Sequence, residues 1–165
     1  MEPKRSNPDE MLRIIQRDEI SKRTGHLKIF FGYAAGVGKT YAMLKAARAA
    51  KHRGVDVVIG YVEPHSRPQT AALTQGLEHL PLQDALCGGI ALKEFDLDAA
   101  LSRKPKLILV DELTHTNAED RRNKKRYQDV KELLQAGIDV YSTVNVQHIE
   151  SLNDMVASIT GITVR

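Results

Sequence analysis

The sequence predicts an α/β fold of P-loop NTPase type, three layers deep, with a mainly parallel sheet and helices on both faces. Three observations predict it. Short apolar runs at 27–31 (LKIFF), 55–62 (VDVVIGYV), 107–110 (LILV) and 138–144 alternate with helical stretches. Such alternation builds a parallel sheet covered on both faces. The first run leads into a glycine cluster ending in Gly38, Lys39 and Thr40, the mark of a phosphate-binding loop. The third ends in Asp111 and Glu112, carboxylates delivered to the carboxyl edge of the sheet, where such sheets bind ligands.

Taken in order, residues 1–7 read as a disordered tail and 8–22 as a short helix with Met11, Leu12, Ile14 and Ile15 on its apolar side. The stretch 1–24 is set apart from a nucleotide-binding domain over 25–165. After the strand at 27–31, residues 39–53 are rich in alanine, leucine, lysine and methionine, with Gly54 behind them as a helix stop. The second strand, 55–62, precedes a helix over 69–80 stopped by Pro81. The stretch 82–95 fits no single element. Residues 96–104 form a short helix, acidic at its start and basic at its end, as the helix dipole favours. The strand 107–110 precedes a helix over 127–135, ended by Gly137, and the strand 138–144. An amphipathic helix over 146–158 follows, with Ile149, Leu152, Met155 and Val156 on one side, and 161–165 begins another strand.

The chain of 165 residues is sized for one domain with a substantial core. Its 24 basic and 21 acidic residues nearly balance, and a net charge of +3 does not by itself argue for nucleic-acid or membrane binding. A single cysteine, Cys87, excludes an internal disulfide and fits a reducing cytosol. No apolar run approaches the ~20 residues that span a bilayer, and the N-terminus lacks the apolar core of a signal peptide.

The glycine loop departs from GxxxxGK[ST]. That pattern puts a glycine where Tyr33 stands, whereas the nearest upstream glycine is Gly32. The context is nevertheless strand, glycine loop, helix. Gly36 and Gly38 let backbone N–H groups turn inward around phosphate oxygens, and the helix start adds its positive end. Lys39 reaches the β- and γ-phosphates and the Thr40 hydroxyl holds Mg2+. The nucleotide-binding set is thus Gly36, Val37, Gly38, Lys39, Thr40, Tyr41 and Asp111, with Thr40 and Asp111 as the metal ligands. Asp111 faces the ion through water opposite Thr40. Glu112 is the catalytic candidate, placed to orient or deprotonate an attacking water. The cofactors are ATP and Mg2+.

Other signals carry two readings each. Glu63, His65 and Arg67 follow the second strand, beside the γ-phosphate or in a polar turn shaped by Pro64 and Pro68. Thr143 and Asn145 either touch the reacting groups or cap the next helix. His115 contacts phosphate or is solvated, and His148 is a surface residue. The basic run from Arg121 to Arg126 is a solvated face, a supply of transition-state arginine, or a docking patch. Cys87 has no histidine or cysteine at ligand spacing.

From about Gly25 onward the chain resembles the N-terminal cytoplasmic domain of the KdpD family of potassium-responsive bacterial sensor histidine kinases. The matching stretches are KIFFGYAAGVGKTYAML, EFDLDAAL, ILVDELTHTNA, KELLQAGIDVYSTVNVQHIESLND and TGITVR. Members share the early glycine at Gly32 and lack one at Tyr33, so the irregular loop is the family's own form. The resemblance implies an inner-membrane protein, of which this is a cytoplasmic piece without membrane insertion. It also implies later universal-stress-protein-like, membrane, GAF-like and kinase parts. ATP held here would tune kinase and phosphatase activity toward the response regulator KdpE, which controls a potassium-uptake ATPase. The chain departs from the family at Pro64 and Ser66, where Thr and Gly are usual, and in 119–127, where Arg122, Lys125 and Arg126 keep their character. Two competing readings are a phosphotransferase acting on a protein hydroxyl and a nucleic-acid-stimulated ATPase. With three Phe and five Tyr and no aromatic-rich stacking surface, nucleic acid is not an expected partner. Base preference, turnover rate, the signal sensed and oligomeric state are not encoded in a readable motif.

Overall fold

In the computed structural model, residues 24–32, 37–63 and 68–145 are described. The expected tail and helix over 1–22, Gly36, His65, Arg67, the helix over 146–158 with His148, and the strand over 161–165 lie outside the described residues.

The elements run β1 (Leu27–Gly32), α1 (Val37–His52), β2 (Val57–Tyr61), α2 (Pro68–Thr74), β3 (Glu78–His79), β4 (Gln83–Cys87), β5 (Ile90–Glu94), α3 (Leu97–Arg103), β6 (Leu107–Val110), α4 (Arg126–Gln135) and β7 (Asp139–Asn145). Five strands form one sheet in the order β1-β7-β6-β2-β3, and every pairing in it is parallel. β4 and β5 form a separate antiparallel pair.

Burial on both faces explains why the strands read as continuous apolar runs. On one face Leu107 and Leu109 of β6 pack with Met43, Leu44, Ala47 and Ala50 of α1 and with Val57 and Ile59 of β2. On the other, Ile108 and Val110 pack with Val130, Leu133 and Leu134 of α4 and with Leu97 and Ala100 of α3. Alternate residues of one four-residue strand thus serve two cores. Each fully buried aliphatic side chain contributes roughly 1.5–3 kcal/mol. The result is the three-layer α/β arrangement.

Helix ends follow local chemistry. Alanines and leucine along α1 favour the helix, and Gly54 at φ +91° closes it. The Asp96 side chain accepts from the backbone N–H of Ala99 at 3.0 Å, capping α3. Gly137 at φ +84° turns the chain from α4 into β7.

One expectation needs correction, and one stretch left open is resolved. The helix expected over 69–80 stops at Thr74, and Glu78–His79 is a short strand beside β2. The Thr74 hydroxyl donates to the Ala71 carbonyl at 2.7 Å and Gly76 takes φ +80°. Arg48 of α1 donates to the Leu73 carbonyl in the last turn at 3.3 Å, satisfying the helix end from outside, and Arg48 and Lys51 donate to the carbonyls of Gln75 and Gly76 just beyond it. The unassigned stretch 82–95 is a hairpin. Its turn is Gly88-Gly89 with φ +58° and +82°, the positive angles that a tight two-residue hairpin turn requires.

Gly60 sits where the register of β2 against β6 shifts. A Cβ there would lie 2.6 Å from Phe95 Cε1 and 2.9 Å from Ile108 Cδ1. Gly60→Ala should therefore overpack this core and cost about 1–3 kcal/mol. The Tm should fall by roughly 2–12 °C, read by thermal melting; an unchanged Tm would contradict the packing described.

Candidate functional site

Four strand ends converge at the carboxyl edge of the sheet, and the residues expected to act together meet there. Asp111 follows β6 and is fully buried. Its Oδ2 accepts from Thr40 Oγ1 at 3.4 Å and from the backbone N–H of Glu63 at 3.0 Å. Its Oδ1 accepts from the hydroxyl of Thr143. The same Thr143 oxygen accepts from the backbone N–H of Glu112 at 3.0 Å. A buried carboxylate is costly without such partners. Here they come from α1, from the end of β2 and from β7.

Lys39 is the second centre. Its side chain is 3% exposed, and its Nζ lies 3.4 Å from Glu112 Oε1 and donates to Asn145 Oδ1. The path of its stem explains the early glycine. A Cβ on Gly32 would lie 3.1 Å from Lys39 Cδ and 3.3 Å from its Cβ and Cγ. Gly32 also pairs with Asn145 in the β1–β7 register, so the bare backbone at Gly32 leads the lysine to the acceptor beside it.

Glu112 has φ +61°. For a residue with a side chain, this left-handed backbone costs of order 1–2 kcal/mol. It is held by the bond from Glu112 N to Thr143, by the bond from Leu113 N to the Thr143 carbonyl at 2.9 Å, and by a contact to the Asp111 carbonyl. That carbonyl accepts from Arg126 Nη1 at 2.9 Å.

The remaining candidates divide. Val37 opens α1. Gly38 is exposed, and a Cβ on it would meet nothing within 4 Å. Tyr41 is 37% exposed, with Lys45 Nζ 5.7 Å from its ring centroid, turned outward from Lys39 and Asp111. Glu63 reaches Asp111 through its backbone, while its carboxylate accepts from the Tyr61 hydroxyl at 2.9 Å. Burial and the neighbouring Glu63 push the Tyr61 pKa up. His115 Nε2 is 3.0 Å from Glu94 Oε1, which commits the ring to a carboxylate.

The basic run is not a free solvated face. Arg122 pairs with Asp98 at 2.9 Å and Glu132 at 3.0 Å. Arg121 pairs with Asp120 at 3.1 Å, and Lys125 donates to Thr116 Oγ1 at 2.6 Å. Arg126 is fully buried. The loop beneath them is closed by Asn117, which donates to Asp129 Oδ2 at 2.8 Å and to the Asn123 carbonyl at 3.0 Å. Burial raises the Asp129 pKa, against the bonds from Asn123 and Asn117. Sequence reasoning passed over Glu94, the buried partner of Arg126 and His115. The signal was present, since Glu94 opens the EFDLDAAL stretch.

Among the described residues no helix is long and apolar enough to cross a membrane. Residues 23–165 match the family described as KdpD: Osmosensitive K+ channel His kinase sensor domain. The chain is 60% identical over 161 residues to Sensor protein KdpD of Clostridium acetobutylicum, covering 98% of this chain and 18% of that protein. It is 54% identical over 164 residues to Sensor protein KdpD of Escherichia coli K12, covering 99% and 18%. Against Putative sensor protein KdpD of Synechocystis it is 54% identical over 143 residues, covering 87% and 39%. The chain therefore spans about a fifth of the length of the first two relatives. With the glycine loop, the paired carboxylates and these matches together, the chain belongs to the KdpD sensor-domain family.

Proposed function

We propose that this domain binds ATP with Mg2+ and regulates a longer sensor histidine kinase of the bacterial inner membrane. In this reading it lies on the cytoplasmic side and tunes kinase and phosphatase activity toward the response regulator KdpE, hence expression of a potassium-uptake ATPase. The observation that carries the proposal is the meeting of Lys39, Thr40, Asp111 and Glu112 at one sheet edge. The donor set suits the ligand. An ammonium has three donors, and Lys39 directs two toward Glu112 and Asn145, leaving one for a phosphate oxygen. Thr40 and Asp111 present a hydroxyl and a carboxylate 3.4 Å apart, hard oxygen donors of the kind Mg2+ prefers. Bound there, the ion would supply neutralisation of phosphate charge.

The chain's own residues divide the remaining work. In this reading Gly36, Val37 and Gly38 would offer backbone N–H groups, and the start of α1 its positive end. Glu112 is 30% exposed at its side chain, open enough to meet a water and close enough to Lys39 to orient it. The intramolecular pairs made by Arg121, Arg122 and Lys125 take away the free cationic surface that a nucleic-acid-stimulated ATPase would use.

Two measurements test the reading. ATP–Mg2+ at about 100 times its Kd should stabilise the fold by about 2.7 kcal/mol, a Tm rise of roughly 5–10 °C. Lys39→Ala should remove most of that rise, and an equal rise in both proteins would defeat the assignment. Asp111→Asn should weaken Mg2+-dependent binding. Glu112→Gln should keep binding and lower turnover by about 10²-fold or more. If Glu112→Gln instead abolishes binding and leaves turnover per bound nucleotide unchanged, the roles given to the two carboxylates are wrong.

A further inference from the structure

α4 begins with an arginine that has left solvent altogether. Arg126 is 0% exposed. Its guanidinium carbon lies 4.2 Å from the centroid of the Tyr61 ring, its Nη2 is 3.5 Å from Glu94 Oε2, and its Nη1 donates to the Asp111 carbonyl at 2.9 Å. Burial pulls its pKa down, and Tyr61, Glu94, Asp129 and Asp111 pull it back; an arginine stays charged through such shifts. Its Nε and Nη2 make no hydrogen bond among the described residues. Stability alone is a poor reason for this choice, because apolar residues of similar volume are often neutral or better than a buried ion pair.

The bond that Arg126 does make falls on one peptide unit. That unit joins Asp111 to Glu112. Its carbonyl is held by Arg126 and its N–H by Thr143 Oγ1, so both ends of the plane are pinned. The residue after it, Glu112, carries the left-handed φ of +61° and ends with its carboxylate 3.4 Å from Lys39 Nζ. Glu94 backs the arginine and is itself 3.0 Å from His115, which ties β5 and the loop after Glu112 to the same point.

We infer that Arg126 is a positioning residue for Glu112: a buried cationic clamp on the Asp111–Glu112 peptide that holds its left-handed turn and so aims the Glu112 carboxylate at Lys39. The inference deepens the proposed function, because it rests on Glu112 as the group that handles water. The clamp itself is a statement about one peptide and can be tested separately.

The test pairs Arg126→Met with Glu94→Gln in the whole chain, so that volume is nearly kept and Glu94 is not left as an unpaired buried carboxylate. Arg126→Lys alone is the second variant, keeping the charge without the planar fork. Amide hydrogen exchange is read residue by residue. Losing a bond from a charged donor should speed exchange at the Glu112 amide by about tenfold or more, while Val130 and Leu133 in α4 keep their protection. In the same variants ATP–Mg2+ should still raise the Tm, kcat should fall with KM unchanged, and adding Glu112→Gln should cause no further loss. Unchanged exchange at Glu112 in a folded variant overturns the clamp. So does a uniform rise through α4, which would make Arg126 only a packing residue. Faster exchange at Glu112 in a protein whose wild type turns over no ATP upholds the clamp and removes the water-handling role of Glu112.

Discussion

A carboxylate with no exposure stands at the end of the central strand, and the fold is arranged to satisfy it. Asp111 takes a hydroxyl from β7, a backbone N–H from the end of β2 and a hydroxyl from α1. Leaving such a group unpaired costs several kcal/mol, so these contacts fix the relative heights of the three elements. One of the three donors, the Thr40 hydroxyl, is held less closely than the others. The 3.4 Å contact from Thr40 is long for a hydroxyl bond.

Much of this was legible in the sequence, for reasons that can be stated. LILV is buried on both faces, so its apolar run predicted β6 without ambiguity, and Asp111 and Glu112 had to follow at the edge. Gly54 and Gly137 marked helix ends because their left-handed angles are what a helix stop needs. Other parts were not legible. In the β4–β5 hairpin Leu86 and Ile90 are each 65% exposed, so no clean in-and-out alternation signals strands, although the Gly88-Gly89 pair was a turn signal. The end of α2 is finished by Arg48 from another helix, a tertiary cause that a local window cannot contain. Arg126 was hidden in a different way. Written among Arg121, Arg122, Lys124 and Lys125, it looks like its neighbours, and only the fold separates the buried cation from Arg121, Arg122 and Lys125, which make their pairs nearer the surface.

The irregular glycine has a physical origin in the same geometry. Gly32, the last residue of β1, clears space on the strand itself. The stem of Lys39 uses that space. Sequence similarity could say that relatives share the feature; the contact supplies the reason, since any side chain at Gly32 would press on the lysine that the site needs.

The sheet order and the alternation of side chains explain the placement of the remaining groups. β7 lies between β1 and β6, and neighbouring strands are about 4.8 Å apart, so a lysine reaching from the β1 side crosses β7 before it meets β6. Residues two apart share a face of a strand. Leu107 and Leu109 face α1, and Asp111 continues their row. Tyr141 packs on that same side, and Thr143 and Asn145 continue its row, as Gly32 continues the row of Phe30. Four strand-end positions therefore look toward the start of α1, where Lys39 and Thr40 stand. Glu112 is out of phase. Extended backbone would send it to the opposite face, toward α3 and α4. The left-handed turn at φ +61° brings it back over the edge to Lys39. The strain there is the geometric condition for having two adjacent acidic residues serve one side of a sheet.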